Sequence, residues 1–181
     1  MPESNHKKFN HLKIHTQYSI CEGAIKIDEL KDYAKELKIS ALGMCDTSNL
    51  CGAVEFSDKL SKVGTQPIIG TQINFKFNDT VGLLPLFALD FEGYKKIIEL
   101  SSRSYLENDD LSDPHLDIND LLRLDTTGIS VFSGTIFGLF GKLFDKAKFD
   151  EIINLYKKLN AVLGDRFYLE IQRHEDLNEI E

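Results

Sequence analysis

The residues best suited to chemistry are histidines and carboxylates at the ends of apolar runs. His15 closes "HLKIH", Asp46 closes "ALGMCD", His174 closes "RFYLEIQRH", and Glu55 follows Asp46 by one or two turns of the next helix. Two imidazoles and two carboxylates brought together would make a ligand set suited to zinc or manganese. Each also has an ordinary structural role open to it. A strand-end histidine can be a surface or hydrogen-bonding group, Asp46 can cap the next turn, and Glu55 can be one charge on a solvated helix face. In an extended strand His11, Lys13 and His15 share one face. Lys13 works against a metal there, because an ammonium has no lone pair to donate until it loses its proton.

Other catalytic patterns are weaker. Ser133 sits between an apolar run and Gly134, but Phe132 and Val131 stand where a nucleophile elbow needs its preceding pattern. The glycines of "GTIFGLFGK" do not form a phosphate loop, since Leu143 follows Lys142 where Ser or Thr is required.

The elements that must position these side chains alternate along the chain. After the opening strand His11–Ser19, "IDELKDYAKELKI" has helical spacing and "ALGMCD" reads as a buried strand with a polar tip. A helix through Ala53, Val54, Phe56 and Leu60 leads to strands at "QPIIGTQINF" and "GLLPLFAL". Helices follow at "DFEGYKKIIELSSRSYL" and "DINDLLRL", then a strand at "TGISVFSG". The stretch "FDKAKFDEIINLYKKLNAVLG" predicts one helix with Phe149, Ile152, Ile153, Tyr156 and Leu163 on its apolar stripe. "RFYLEIQRH" closes as a sixth strand, with Phe167, Leu169 and Ile171 alternating against Tyr168 and Glu170. The acidic stretch Leu106–Asp117 reads as a surface loop. Connections this long, none of them a hairpin, predict an α/β fold with a mainly parallel sheet covered by helices, in a single domain over 1–181. Functional side chains of such folds collect at the C-terminal strand ends.

Composition fits an ordinary globular domain, with 42% hydrophobic and 28% charged residues in 181. No apolar run approaches a membrane span, and "MPESNHKKFN" lacks the apolar core of a secretory signal, so a cytoplasmic protein without membrane contact is expected. Cys21, Cys45 and Cys51 form no metal-binding or disulfide pattern and are expected as free thiols. The net charge of -8 disfavours a direct grip on DNA phosphates.

Several blocks, in order, resemble the N-terminal PHP (polymerase and histidinol phosphatase) domain of the alpha subunit of bacterial DNA polymerase III. They are "HLKIHTQYSICEGAIKIDEL", "ALGMCDTSNLCGAVEF", "QPIIGTQINF", "FEGYKKIIELSSRSYL" and "FYLEIQRH". The resemblance implies a distorted (β/α) barrel of about seven strands, incomplete here, with the remainder of the polymerase absent from this chain. Family members that bind metal carry His, Asp, Glu and sometimes Cys ligands at the barrel mouth. Carried over by position, His15, Asp46, Glu55 and His174 match ligands, whereas Lys13 and Thr47 stand where histidines do and Thr135 where a cysteine often does.

The expectation is therefore a vestigial cluster without bound metal, in which Lys13 pairs with Asp46 or Glu55. No catalytic or cofactor-binding residue is expected, and zinc or manganese would bind only were the cluster still competent. The resemblance further implies a non-catalytic scaffold in DNA replication, joined to the rest of the alpha subunit and docking the proofreading exonuclease subunit. The DNA-directed DNA polymerase (nucleotidyltransferase) activity, with its Mg²⁺, would lie elsewhere in the subunit. The enzymatic alternative is a metal-dependent phosphoesterase or 3′–5′ exonuclease, against which Lys13, Thr47 and Thr135 speak.

Overall fold

The computed structural model describes residues 9–108 and 112–172. Its first helix, α1 (Ile27–Glu36), buries Ile27, Leu30 and Ala34, spaced to form one stripe, and carries Asp28 and Glu29 in its first turn, where carboxylates oppose the helix dipole favourably. Strand β1 (Ala41–Thr47) is buried from Ala41 through Asp46, as a strand covered on both faces must be. Helix α2 (Ala53–Ser61) turns Ala53, Phe56 and Leu60 inward. Together α1, α2 and β1 enclose one apolar cluster that includes Leu42, Met44 and Phe56.

Strands β2 (Gln66–Phe77) and β3 (Thr80–Ala88) form an antiparallel hairpin, with Phe77 opposite Thr80. The expectation of no hairpins is thus corrected. Only Asn78 and Asp79 connect the two strands, and Asn78 adopts φ 54°, a left-handed conformation that Asn tolerates better than most residues. Helix α3 (Phe91–Leu106) starts where the Asp90 carboxylate accepts the Gly93 N–H at 2.7 Å. Within the presumed surface loop, Leu116–Asp117 forms a short strand, β4, parallel to β2, and Asp117 caps α4 (Ile118–Arg123).

Strand β5 (Ile129–Phe132) pairs antiparallel with β3. The single helix expected after it is two, α5 (Leu139–Asp145) and α6 (Phe149–Leu163), because Ala147 at φ 54° breaks the run. The buried stripe of α6 is Leu155, Leu159 and Leu163, while Phe149, Ile153 and Tyr156 face outward. Strand β6 (Phe167–Tyr168) then pairs parallel with β5.

The sheet is mixed, in the order β1-β2-β3-β5-β6 with β4 beside β2. Its second and larger core packs β2, β3 and β5 against α3 to α6 through Ile73, Phe75, Leu86, Ile97, Val131 and Leu155. The α/β expectation holds, with β1–β2, β2–β4 and β5–β6 parallel and both pairings of β3 antiparallel. Among the described residues no helix is long and apolar enough to cross a membrane.

Candidate functional site

The strand expected over His11–Ser19 is reduced to isolated bridges at Ile14 and Thr16. Ile14 pairs with Met44 of β1, with the Ile14 N–H donating to the Gly43 carbonyl at 3.2 Å and the Cys45 N–H to the Ile14 carbonyl at 2.8 Å. Gly43 permits this approach, since a Cβ there would lie 2.2 Å from the Leu12 carbonyl oxygen. From Thr16 the chain turns back over the end of β1, with the Ser19 N–H donating to the Thr16 carbonyl.

Asp46 is the hub of that turn. Fully buried, its carboxylate accepts the Thr16 N–H and Thr16 Oγ1–H, each at 2.6 Å, and Ser19 Oγ–H at 2.8 Å. Both oxygens are therefore engaged by donors from the opening segment. Thr47 is bound into the same rim, donating to Glu22 and accepting from Gln72 Nε2 at 2.7 Å. His15 lies half-buried beside them, its Nδ1 3.5 Å from Ser19 Oγ and 3.9 Å from Glu22 Oε2. Burial pulls the His15 pKa below its usual 6.5 and Lys13 adds to that, against the opposing pull of Glu22.

Lys13 does not reach Asp46 or Glu55, as the sequence suggested. It pairs with Glu170, Nζ to Oε1 at 3.3 Å, with both side chains largely enclosed. The last strand, expected through His174, ends at Tyr168 among the described residues, and beyond it the expected alternation reverses: Leu169 and Ile171 are 66% and 85% exposed, while Glu170 turns inward. Its second oxygen, Oε2, is buried without a hydrogen-bond partner. The opening segment and the residues after β6 are the two outer edges of the sheet, and no backbone pairing joins them among the described residues. The ion pair spans that seam.

The remaining positions divide. Glu55 turns away to accept the Tyr18 hydroxyl at 2.7 Å and Lys59 Nζ at 2.6 Å, contacts that hold its carboxyl below the usual range, Lys59 contributing most. Thr135 accepts the Phe137 N–H and lines a cavity of about 360 Å³ at the mouth, together with Lys13, His15, Glu22 and Gln72. His174 lies outside the described residues. Among the described residues no group of three or more His, Cys, Asp and Glu side chains is placed to hold a metal ion. With Asp46 saturated, Glu55 elsewhere and an ammonium at Lys13, the described residues do not fit a multinuclear metal centre. Sequence reasoning missed Glu170, Glu22 and Ser19. Glu170 alone carried a signal, as a charged residue inside an apolar alternation.

A PHP domain model matches residues 11–174, from the opening segment through the last strand. The chain belongs to the PHP family. DNA polymerase III subunit alpha of Rickettsia conorii is 35% identical over 93% of this chain, and that of Caulobacter vibrioides 34% over 96%. The Thermus aquaticus subunit is 35% identical over 92%. This PHP chain spans only 14–16% of the length of these curated relatives. A crystal structure described as a metal-dependent phosphoesterase from Bifidobacterium adolescentis overlaps 83% of this chain and 55% of its own, at a TM-score of 0.43 and 14% identity.

Proposed function

We propose that this chain is the PHP segment of a replicative DNA polymerase III alpha subunit and acts in DNA replication as a non-catalytic scaffold. The observation that carries the scaffold reading is the state of Asp46, whose carboxylate is consumed by Thr16 and Ser19 and holds the opening segment onto β1. Lys13 and Glu170 neutralise each other where a metal-binding relative would need ligands. The mouth thus has a hydrogen-bonded rim and an ion pair in place of a cation that could activate water. The relatives named above support the polymerase assignment, with its cytoplasmic setting, and the proofreading exonuclease is the partner this scaffold would dock. The acidic charge leaves DNA to other parts of the subunit.

The test is an assay of the full-length subunit. With Mn²⁺ or Zn²⁺ present, and with the polymerase active site inactivated, it should hydrolyse neither phosphomonoesters nor single-stranded DNA, and it should co-elute with the exonuclease subunit. Metal-dependent hydrolysis abolished by His15→Ala would instead establish the phosphoesterase or exonuclease reading.

A further inference from the structure

We infer that the groove between helices α2 and α3 is a docking site for an amphipathic α-helix of a separate protein. The buried residues of α3, among them Gly93, Ile97, Leu100 and Ser104, face the sheet. A second stripe, Phe91, Tyr94, Ile98, Ser101 and Tyr105, advances in steps of three and four, the spacing with which one helix receives another. Two cavities lie against this stripe, about 510 Å³ beside Phe91 and Tyr94 and about 440 Å³ beside Ile98, Ser101 and Tyr105. Their other wall is Val54, Ser57 and Asp58 of α2 for the first, and the turn 48–51 that leads into α2 for the second. Among the described residues nothing covers the rim, where Val54 is 77% and Phe91 70% exposed.

No open strand edge borders this groove, so an extended chain would gain no ladder of backbone hydrogen bonds there. A helix laid along α3 instead packs its own apolar stripe between the two walls, at an axis spacing of about 9 Å. The 16 residues of α3 give such a helix a seat about 24 Å long.

The charges on the two rims select the occupant further. Lys95 stands on the α3 side, over the Phe91 ring, and Asp58 on the α2 side. Their present partners, Glu92 and Lys62, are neighbours on the same helices in exposed pairs worth little, so both charges are free to turn to an incoming chain. The occupant therefore carries acidic residues along one flank and basic residues along the other. Rims of opposite sign fix the direction in which a helix lies, which an incoming helix needs and one held by its own chain connections does not. That favours a separate protein over a later part of this polypeptide. The groove shares no residue with the mouth, and it would serve a scaffold and a hydrolase alike.

The test titrates the native gene product into three labelled helical peptides of about 18 residues, each with Leu at both seam positions of every heptad, and reads fluorescence anisotropy. One peptide carries Glu along one flank and Lys along the other, the second Glu on both, the third Lys on both. The mixed peptide should bind at least about fivefold tighter than either of the others, although plain attraction to a chain of net charge -8 would favour the all-lysine one. Lys95→Glu makes both rims acidic and should move the preference to the all-lysine peptide. Ile98→Glu and the more exposed Tyr105→Glu should each weaken the mixed peptide at least about tenfold, while Leu106→Glu, outside the groove, leaves it unchanged. Absence of saturable binding overturns the inference, whether a later part of the polypeptide or a second copy fills the groove or no helix enters it. So does an all-lysine preference in the native protein, binding that survives both seam variants, or a preference unmoved by Lys95→Glu.

Discussion

Lys13 Nζ lies 3.3 Å from Glu170 Oε1, joining the first and last segments of a sheet that no backbone pairing closes among the described residues. The two residues are 157 positions apart in sequence, and their side chains are only 15% and 11% exposed. Enclosed pairs of this kind offset their own desolvation only while both partners are present. The ammonium that disqualifies Lys13 as a metal ligand is thereby the counterion of Glu170.

Removing one partner should be far worse than removing both. Lys13→Met leaves the Glu170 carboxylate enclosed and uncompensated, at a cost of about 3 kcal/mol. The double variant Lys13→Met with Glu170→Leu should recover at least about half of that loss, because apolar pairs often replace buried ion pairs at little cost. Urea unfolding of the single and double variants checks this through their midpoints at constant slope.

Asp46→Ala should destabilise the chain by about 3 kcal/mol or more, since it strands the buried Thr16 N–H and two hydroxyls together. The loss should localise. Nuclear magnetic resonance of the variant should show residues 15–22 disturbed while the β2–β3 hairpin keeps its shifts.

Stability should fall with acid in a window set first by His15. Its folded pKa lies below 6.5, so the unfolded state takes up a proton that the folded state resists. The contribution is complete above pH 6.5 and is lost as pH drops through the lower folded value. Glu55, held low chiefly by Lys59, acts the same way further down, below its usual 4.5. Thermal melts from pH 7.5 to 5 should show the first slope in the native chain and a shallower one in His15→Gln.

Gly43→Ala tests the seating of the opening segment. The added methyl would meet the Leu12 carbonyl at 2.2 Å, and backbone atoms there cannot step aside singly. The expected cost is about 2 kcal/mol, in the range of overpacked interiors, with faster exchange at Ile14 and Cys45, whose N–H bonds join the two segments.

What the sequence makes legible follows from burial. "ALGMCD" reads correctly because every residue through Asp46 is enclosed, and such a run has one interpretation. The stripe of α6 was not legible in this way. Leu155, Leu159 and Leu163 compete with Phe149, Ile152, Ile153 and Tyr156, and a helix apolar on two faces does not say which one meets the sheet. The hairpin hides in Asn78–Asp79, a turn without the glycine that usually marks one.

At the site, position along the chain located His15, Asp46 and Thr47 on one rim but could not show who neutralises whom. Glu55 looked like a neighbour of Asp46 and instead binds Tyr18 and Lys59, while the partner of Lys13 came from the far end of the chain. Ion-pair partners distant in sequence carry no periodic signal.

The central claim is that Lys13, Glu170 and the Asp46 hydrogen bonds replace a metal. Titration calorimetry of the chelator-stripped protein with Zn²⁺ and with Mn²⁺, in native and His15→Ala forms, tests it most directly. Weak binding of less than one ion per chain, unchanged by His15→Ala, is expected. Stoichiometric, tight binding that His15→Ala abolishes would contradict it.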